Sequence, residues 1–299
     1  MVRMTTGRVF VITGASSGLG LATARLLSAV DGTHLILAVR DPGRGRAAQA
    51  QLASGSSSEV RVVDLADLDS VRAFAGGVER VDVLINNAGV MAPPRTLSAQ
   101  GYELQFAVNH LAHFALTGLL LDRLAAGADP RVVTVSSTLH RQGRIDFDDL
   151  DGARAYSATG AYNQSKLANA IFGLEPHRRL TAAGSPVRSV LAHPGYAATG
   201  LQATVKPGLY RWALMKLGNP LLAVSAEQGA RPIVLAATSG EGGQFIGPTG
   251  LGEMRGAPGV VPPSAAARDP ETARRLWAVS EERTGVRLLD PAGRHQEPG

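Results

Sequence analysis

Short apolar runs alternate with amphipathic stretches through the first 135 residues, and this alternation limits the possible folds more than any other feature. Five runs predict strands, at residues 9–13, 35–39, 60–64, 81–85 and 131–135. The stretches between them predict helices, at residues 18–30, 45–53, 68–79 and 99–126. Strands that are apolar on both faces and separated by helices are typical of a parallel sheet covered on both sides. Right-handed crossovers make such a sheet doubly wound, which is the Rossmann type of α/β fold.

The second half of the chain, residues 136–299, is more varied, but nothing in it resembles a linker. Further helices are predicted at residues 161–183, 225–238 and 270–284, and further strands at 187–193 and 244–247. Residues 250–263 are predicted to be a loop. The polar segment 139–160 has few apolar anchors, such as Ile145 and Phe147, and is therefore predicted to be a mobile lid. We expect one domain over residues 1–299.

Composition excludes several classes of protein. Cysteine is absent, so disulfides, thiolate nucleophiles and cysteine-based metal sites are impossible. The net charge is +5, but the basic residues are scattered and only 5% of residues are aromatic, which argues against nucleic-acid binding. His110 and His113 have no evident third ligand, so packing is expected instead of a metal site. Without a signal-peptide pattern or a long apolar run, no membrane contact and a cytoplasmic location are expected.

A glycine-rich turn lies between the first predicted strand and the first predicted helix. Glycines in such a turn let the backbone approach a pyrophosphate, and the helix N-terminus offers free N–H groups to the anion. The position of the turn, after a strand and before a helix, favours a dinucleotide site over a merely structural loop. The residues expected at the cofactor are Gly14, Ser16, Ser17, Gly18, Leu19 and Gly20.

The end of the second predicted strand bears on the choice between the two nicotinamide cofactors. An NAD site usually presents Asp or Glu there to the ribose 2′-hydroxyl. Here Val39 cannot accept a hydrogen bond, whereas the guanidinium of Arg40 can pair with a 2′-phosphate. NADP(H) is therefore expected in preference to NAD(H). The alternative is that Arg40 is a solvated turn residue.

Tyr162 and Lys166 are spaced to lie on one face of a predicted helix, where the ammonium is expected to lower the pKa of the phenol. The tyrosine can then exchange a proton with a carbonyl or carbinol oxygen. Ser137 follows a predicted strand, from which its hydroxyl can donate to the same oxygen. Asn109 lies inside a predicted helix, where asparagine has no propensity advantage. Each of these features is ambiguous alone.

Taken together, these motifs make the sequence resemble the short-chain dehydrogenase/reductase family over essentially the whole chain. The resemblance is carried by the glycine turn, by Asn109, Ser137, Tyr162 and Lys166, and by the sequences Asp64-Leu65, Asn86-Asn87-Ala88-Gly89 and His193-Pro194-Gly195 with Thr199. Details such as Ser165-Lys166-Leu167-Ala168-Asn169 are most similar to the retinol-dehydrogenase-like branch, and this protein is expected to lack the membrane anchor of that branch.

The resemblance implies roles for these residues. Tyr162 would be the general acid and base, Lys166 would lower its pKa and hold the nicotinamide ribose, Ser137 would polarise the substrate oxygen, and Asn109 would anchor a water in the proton relay. Asp64 would meet the adenine, Asn86 the ribose region and Thr199 the carboxamide. Leu65, Ala88, Gly89, Pro194 and Gly195 complete the expected cofactor site. Residues 1–135 would then mainly bind cofactor, and residues 136–299 would carry catalysis and the substrate.

The substrate expected from the sequence is a hydrophobic ketone, aldehyde or alcohol. Most candidate pocket residues are apolar, and they are Met91, Leu139, Tyr156, Tyr196, Leu201 and Met215. A homo-oligomer is possible, but Pro176 should kink the catalytic helix and disturb the face that such proteins use to dimerise. The alternative function is that of a catalytically silent NADP-binding regulator on the same fold.

Overall fold

A computed structural model describes residues 7–195 and 225–289, and its centre is one eight-stranded sheet. The order of the strands across the sheet is β3-β2-β1-β4-β5-β6-β7-β8. Their bounds are β1 Val9–Thr13, β2 His34–Val39, β3 Ser57–Val62, β4 Val83–Asn86, β5 Arg131–Val135, β6 Arg188–Ala192, β7 Phe245–Pro248 and β8 Pro258–Val260. Neighbouring strands from β3 to β7 are parallel, as predicted.

Strands β1 and β4 lie side by side at the centre of the sheet, with Phe10 opposite Val83 and Ile12 opposite Ile85. The chain winds outward in opposite directions from this pair. In open parallel sheets, ligands bind beyond the carboxyl ends of the strands at such a switch point. The topology therefore places the glycine turn after β1 at the expected binding crevice.

Seven helices cover the two faces of the sheet within the described residues. Their bounds are α1 Gly18–Ser28, α2 Pro42–Gln49, α3 Leu68–Gly77, α4 Leu104–Ala125, α5 Ala158–Ala182, α6 Ala226–Ser239 and α7 Pro270–Thr284. One core contains Leu27 of α1 and Ile233 of α6. The other contains Phe74 of α3 and Leu116 of α4. Both faces of the strands are therefore buried, which explains their continuous apolar runs.

Several helices begin at other residues than predicted, and for α2 and α4 a capping side chain sets the start. Helix α2 begins at Pro42 because the Asp41 carboxylate accepts hydrogen bonds from the N–H groups of Gly43 and Arg44, at 2.7 and 3.1 Å. Helix α4 begins at Leu104 because the Glu103 carboxylate accepts from the Phe106 N–H at 2.8 Å. An acidic N-cap with proline at the first helical position is a signal that the sequence contained for α2.

Helix α4 contains a π-helical stretch, Ala107–Leu111, which includes Asn109 and His110. Single π-helical turns inside α-helices often occur at functional sites. Among the described residues, α4 is also the one helix long and apolar enough to cross a membrane, but 83% of its most apolar window is buried inside the fold.

The prediction of a loop over residues 250–263 is wrong in part. Strand β8 lies there and pairs antiparallel with β7, with Ile246 opposite Val260. The hairpin is closed by a hydrogen bond from the Thr249 N–H to the Ala257 carbonyl at 3.0 Å. Proline and glycine surround this short strand, so its sequence resembles a loop, and β8 is an edge strand where such residues are tolerated.

The segment 139–160 has more anchors than the sequence suggested. Ile145 and Leu150 are buried against helix α5. From α5, the Gln164 side chain donates to the Leu150 carbonyl and accepts from the Asp146 N–H. Asp151 forms an ion pair with Arg283 of α7 at 2.8 Å. The prediction of few anchors is therefore wrong. Helix α5 itself continues through Pro176 to Ala182.

Candidate active site

The turn between β1 and α1 is shaped for close approach by a ligand. Gly14 and Gly18 have positive φ angles of 68° and 55°, which favour glycine. A Cβ atom on Gly20 would lie 2.4 Å from the Gly14 carbonyl oxygen, so a side chain there would distort the turn. Ser17 is the N-cap of α1, yet its side chain makes no capping hydrogen bond. The first N–H groups of α1 are therefore left for an anion, and the turn fits the pyrophosphate of a dinucleotide.

A hydrogen-bonded clamp joins this turn to the end of β4. The Thr13 hydroxyl oxygen accepts from the N–H groups of Asn87 and Ala88, at 2.9 and 3.0 Å, and the Asn87 side chain donates to the Thr13 carbonyl at 2.8 Å. The Asn86 side chain instead turns into the core and donates to the Thr117 hydroxyl at 3.0 Å. The Asn86 side chain is fully buried, so only the backbone of Asn86 can meet the ribose region, and that expected contact stays a prediction.

The carboxyl ends of β2 and β3 form the part of the crevice expected to receive the adenosine. Arg40 follows β2, is exposed, and has no hydrogen-bond or ion-pair partner among the residues that the structure describes. Asp64 follows β3, and its carboxylate accepts from the Ala66 N–H at 2.9 Å. Leu65 packs its side chain into the core, so only its backbone can face a ligand.

Ser137 and Tyr162 come together at the carboxyl end of β5. Ser137 caps a short helical turn, Thr138–Gln142, and its hydroxyl oxygen accepts from the Leu139 N–H at 3.2 Å. Tyr162 lies in the second turn of α5 and is buried, and a hydrogen bond with the Ser137 side chain acts on its phenol. Leu139, predicted to line the substrate pocket, is adjacent to this pair and half-buried.

Burial raises the pKa of Tyr162 to about 12, and the hydrogen bond from Ser137 opposes this rise only in part. The prediction that Lys166 lowers this pKa is wrong for the protein without ligand. The Lys166 ammonium lies 5.7 Å from the centre of the tyrosine ring and donates to the Val135 carbonyl at 3.2 Å. At neutral pH the phenol therefore keeps its proton, which suits a proton donor.

Lys166 is buried and forms no ion pair with a carboxylate of residues 7–195 or 225–289, and burial lowers its pKa to about 8. A second donor, the Asn169 amide, shares the Val135 carbonyl at 3.2 Å. The Ser136 hydroxyl donates to the Lys166 backbone carbonyl at 2.8 Å and so fastens α5 to the end of β5. Since an ammonium carries three protons and one is on Val135, two remain for a ligand in the crevice.

Asn109 holds the loop after β4 against helix α5. Its side chain accepts from the Val90 N–H at 2.8 Å, and donates to the Val90 carbonyl at 3.0 Å and to the Ser165 hydroxyl at 2.9 Å. A Cβ atom on Gly89 would lie 3.1 Å from the Asn109 oxygen and 3.6 Å from the Lys166 nitrogen. Gly89 therefore leaves open the space in front of Lys166. The water expected on Asn109 stays a prediction.

A family model described as short chain dehydrogenase matches residues 8–209. The chain belongs to this family. Among its relatives, human retinol dehydrogenase 13 is 40% identical over 94% of this chain and 85% of its own length. Mouse polyprenol dehydrogenase is also 40% identical, over 94% of this chain and 84% of its own length. These relatives place the chain in the retinol-dehydrogenase-like branch of the short-chain dehydrogenases, as the sequence motifs indicated.

Solved structures show the same fold. The crystal structure of an uncharacterised protein from Mycobacterium paratuberculosis is 46% identical, covers 94% of each chain and has a TM-score of 0.80. A second structure is described as an NAD(P)-dependent gluconate 5-dehydrogenase from Beutenbergia cavernae with bound NADP at low occupancy. It is 29% identical, covers 81% of this chain and 94% of its own, and has a TM-score of 0.64.

The histidines of this short-chain dehydrogenase have structural partners. The His110 ring approaches the Ser280 hydroxyl at 2.9 Å, and His113 approaches the Thr13 hydroxyl at 3.0 Å. Burial lowers their pKa values to about 3 and about 4. The described residues contain no cluster of histidine and acidic side chains able to hold a metal ion.

Some predicted residues of this short-chain dehydrogenase lie outside the described part of the chain. They are Thr199, expected at the carboxamide, and the pocket candidates Tyr196, Leu201 and Met215. Pro194 and Gly195 are described, and Gly195 has a positive φ of 72°. Sequence reasoning missed the bridging roles of Asn87, Ser136 and Ser165, although each adjoins a residue that it had singled out.

Proposed function

We propose that this short-chain dehydrogenase interconverts a hydrophobic ketone or aldehyde and its alcohol with NADP(H). The observation that carries the proposal is the meeting of the Tyr162 phenol and the Ser137 hydroxyl beside the Lys166 ammonium. These groups lie at the carboxyl end of β5, where the fold opens its ligand crevice. Two neutral hydroxyls and a buried cation suit a carbonyl oxygen that gains negative charge.

The chain's own groups supply the proton and the alignment. When bound, the nicotinamide supplies or accepts the hydride. The Ser137 oxygen accepts a hydrogen bond from the Leu139 N–H, and its proton faces the Tyr162 phenol in the protein without ligand. A substrate oxygen that enters between the two hydroxyls would take over that proton as its hydrogen-bond donor. Tyr162, protonated at neutral pH, gives its proton to the same oxygen as the carbonyl is reduced. Lys166 is expected to hold the ribose and to favour the phenolate left on Tyr162.

An apolar substrate is supported by the names of the relatives, which specify the alcohols retinol and polyprenol. Met91 and Leu139 are both half-buried, and they follow β4 and β5, at whose carboxyl ends the substrate is expected. A screen of ketones and aldehydes that follows NADPH consumption tests the proposal, and an apolar carbonyl should be consumed fastest. Tight NADPH binding without turnover on any carbonyl would favour the silent regulator instead. We further propose a cytoplasmic location, and a possible homo-oligomer stays a prediction.

The preference for NADP(H) is expected to depend on Arg40. Its exposed guanidinium has no partner in the described part of the chain, so it can hold a 2′-phosphate in a bidentate hydrogen-bonded pair. Dissociation constants should favour NADPH over NADH by at least about tenfold, or about 1.4 kcal/mol. Arg40→Ala should remove most of this preference and leave NADH binding nearly unchanged.

Arg46→Ala is the matched control, because it removes the same charge from the last turn of α2. It should keep the preference for NADPH. Equal affinities for NADPH and NADH in the unmodified protein would refute the assignment of the cofactor.

A further inference from the structure

Two buried histidines lie behind the site, and each follows a strand that ends at the crevice. His140 belongs to the turn after β5 that Ser137 begins, and His193 follows β6 directly before Pro194 and Gly195. Both side chains are fully buried. Their rings pack against Phe245 of β7 in edge-on contacts, with centroids 5.4 and 5.0 Å apart.

The hydrogen bonds of His193 define its tautomer. The Gly195 N–H donates to His193 Nδ1 at 3.2 Å, so this nitrogen carries no proton. The proton of the neutral ring is therefore on Nε2, which faces Glu253 Oε2 at 3.2 Å. Both atoms are buried and have no directed hydrogen bond within the described residues, so this 3.2 Å approach is a charge contact and the two atoms are each other's nearest polar neighbour there. Burial lowers the pKa of His193 to about 4, which keeps the ring neutral.

His140 has the opposite tautomer. The Ser264 N–H donates to His140 Nε2 at 3.2 Å, so the proton is on Nδ1. Nδ1 in turn donates to the Ser137 carbonyl at 2.6 Å. Ser264 follows strand β8, so this histidine connects the turn of the catalytic serine to the C-terminal part of the sheet.

Glu253 occupies a strained position between these two loops. Its φ angle is +55°, which non-glycine residues rarely adopt. Its second carboxylate oxygen, Oε1, accepts from Arg141 Nη2 at 2.7 Å, and Arg141 also donates to the Pro262 carbonyl at 2.8 Å. Strained residues persist where the surrounding structure fixes them, and they cluster at functional sites. One carboxylate therefore contacts a residue of the turn after β5 and the histidine of the turn after β6.

We propose that Glu253 is a positioning residue for the reaction. Through His193 it sets the Pro194-Gly195 turn expected to contact the cofactor, and through Arg141 it sets the turn that carries Ser137. The inference rests on the proposed function, and Glu253 itself contacts neither the Tyr162 phenol nor the Ser137 hydroxyl in the described hydrogen bonds.

The test is Glu253→Gln in the full-length protein. The glutamine oxygen can still accept from Arg141, but its NH₂ group then faces the Nε2–H of His193. Two donors cannot bond, so the proton of His193 should move to Nδ1 and the hydrogen bond from the Gly195 N–H should be lost. NADPH should bind about tenfold more weakly, as expected for the loss of one to two hydrogen bonds, while turnover at saturating NADPH changes less than about threefold.

The tautomers can be read by ¹⁵N NMR of the histidine side chains. The unmodified protein should show His193 protonated on Nε2 and His140 protonated on Nδ1. Glu253→Gln should convert His193 and leave His140 unchanged. If Glu253→Gln only lowered stability, the folded fraction would keep its NADPH affinity and its His193 tautomer. Measuring both the affinity and the tautomer therefore distinguishes a positioning role from a merely structural one.

Two further variants complete the test. Arg141→Met removes the other contact of Glu253 and should lower turnover while NADPH affinity stays within about twofold. Glu271→Gln, in an exposed ion pair with Arg274 on α7, should change neither quantity. The proposal is overturned if His193 of the unmodified protein carries its proton on Nδ1, or if Glu253→Gln alters neither tautomer nor NADPH affinity. If the unmodified protein failed to bind NADPH, the proposed function would be overturned instead. The NMR measurement of the histidine tautomers does not depend on NADPH binding.

Discussion

Tyr162→Phe is expected to lower carbonyl-reducing turnover by about 10²–10⁴-fold, the usual contribution of general acid–base catalysis. The change removes one hydroxyl from a buried ring, so the fold and NADPH affinity should survive. The phenol has a pKa of about 12 in the protein without ligand, so it enters the reaction protonated across the neutral range. Turnover measured at saturating NADPH and carbonyl, together with NADPH affinity by fluorescence, checks this expectation.

Tyr102→Phe is the matched control, because its hydroxyl also makes a hydrogen bond, at 3.1 Å to the Arg283 carbonyl, but away from the Ser137 hydroxyl. That variant should keep turnover within about threefold, as for loss of a single structural hydrogen bond. Near-normal turnover of Tyr162→Phe, on any carbonyl that the unmodified enzyme reduces, would exclude Tyr162 as the proton donor.

Lys166→Met is expected to abolish most turnover and yet to make the protein without ligand more stable at pH 7. Burial lowers the pKa of Lys166 from its ordinary 10.5 to about 8, so charging this group opposes folding. A shift of this size corresponds to about 3 kcal/mol as an upper value. Loss of the hydrogen bond to the Val135 carbonyl costs about 1 kcal/mol, which leaves a net gain of about 2 kcal/mol.

The sign of the pH dependence follows from the protons bound in each state. Between pH 8 and 10.5 the unfolded protein binds a proton at Lys166 that the folded protein has released, so this group makes stability rise with pH over that window. The burial penalty that Lys166→Met removes should therefore shrink to about 1 kcal/mol by pH 10. Denaturant titrations at pH 7 and pH 10 measure this difference. A methionine variant less stable than the unmodified protein at pH 7 would contradict the account.

The two substitutions are also expected to be non-additive in catalysis. The double variant Tyr162→Phe, Lys166→Met should turn over little more slowly than the slower single variant, because groups that act as one unit are lost together. If the fold-reductions in turnover of the two single variants multiplied in the double variant, the lysine would act independently of the tyrosine. NADPH affinity should fall in both variants that lack Lys166, since the ammonium is expected to hold the ribose.

The sequence predicted elements well where local pattern and burial coincide. Strands β1 and β5 and helix α7 have the bounds expected from the sequence, because apolar runs or a proline start define them. Strand β8 could not be predicted, since its pairing with β7 comes from the closure of a hairpin and not from its own residues. The start of α4 depends on the Glu103 carboxylate, whose position is set by the surrounding fold.

At the site, the motifs located the residues but not the directions of their side chains. Asn86 and Asn87 are adjacent and chemically identical, and only the sheet decides that one turns into the core and the other onto Thr13. The pKa of Tyr162 depends on the depth of its burial, which helical spacing does not give. Glu253 lies more than fifty residues beyond His193 in the sequence, in a segment that looked like a loop, so nothing local connected the two.

The π-helical stretch of α4 sets the angle, measured around the helix axis, between the side chains that face the site and those that face the core. Residues before it follow one helical phase, and the fourteen residues Ala112–Ala125 follow another, offset by the extra residue that the wide turn accommodates. Each residue of an α-helix turns the chain by about 100°, so deleting one residue from Ala107–Leu111 would rotate one half against the other by that angle. With Asn109 kept on Val90, Leu116 and Leu120 would leave the core. The number of residues in this helix therefore cannot change by even one. Val90 holds the part with Asn109, and the core on the opposite side of the helix holds the part with Leu116 and Leu120.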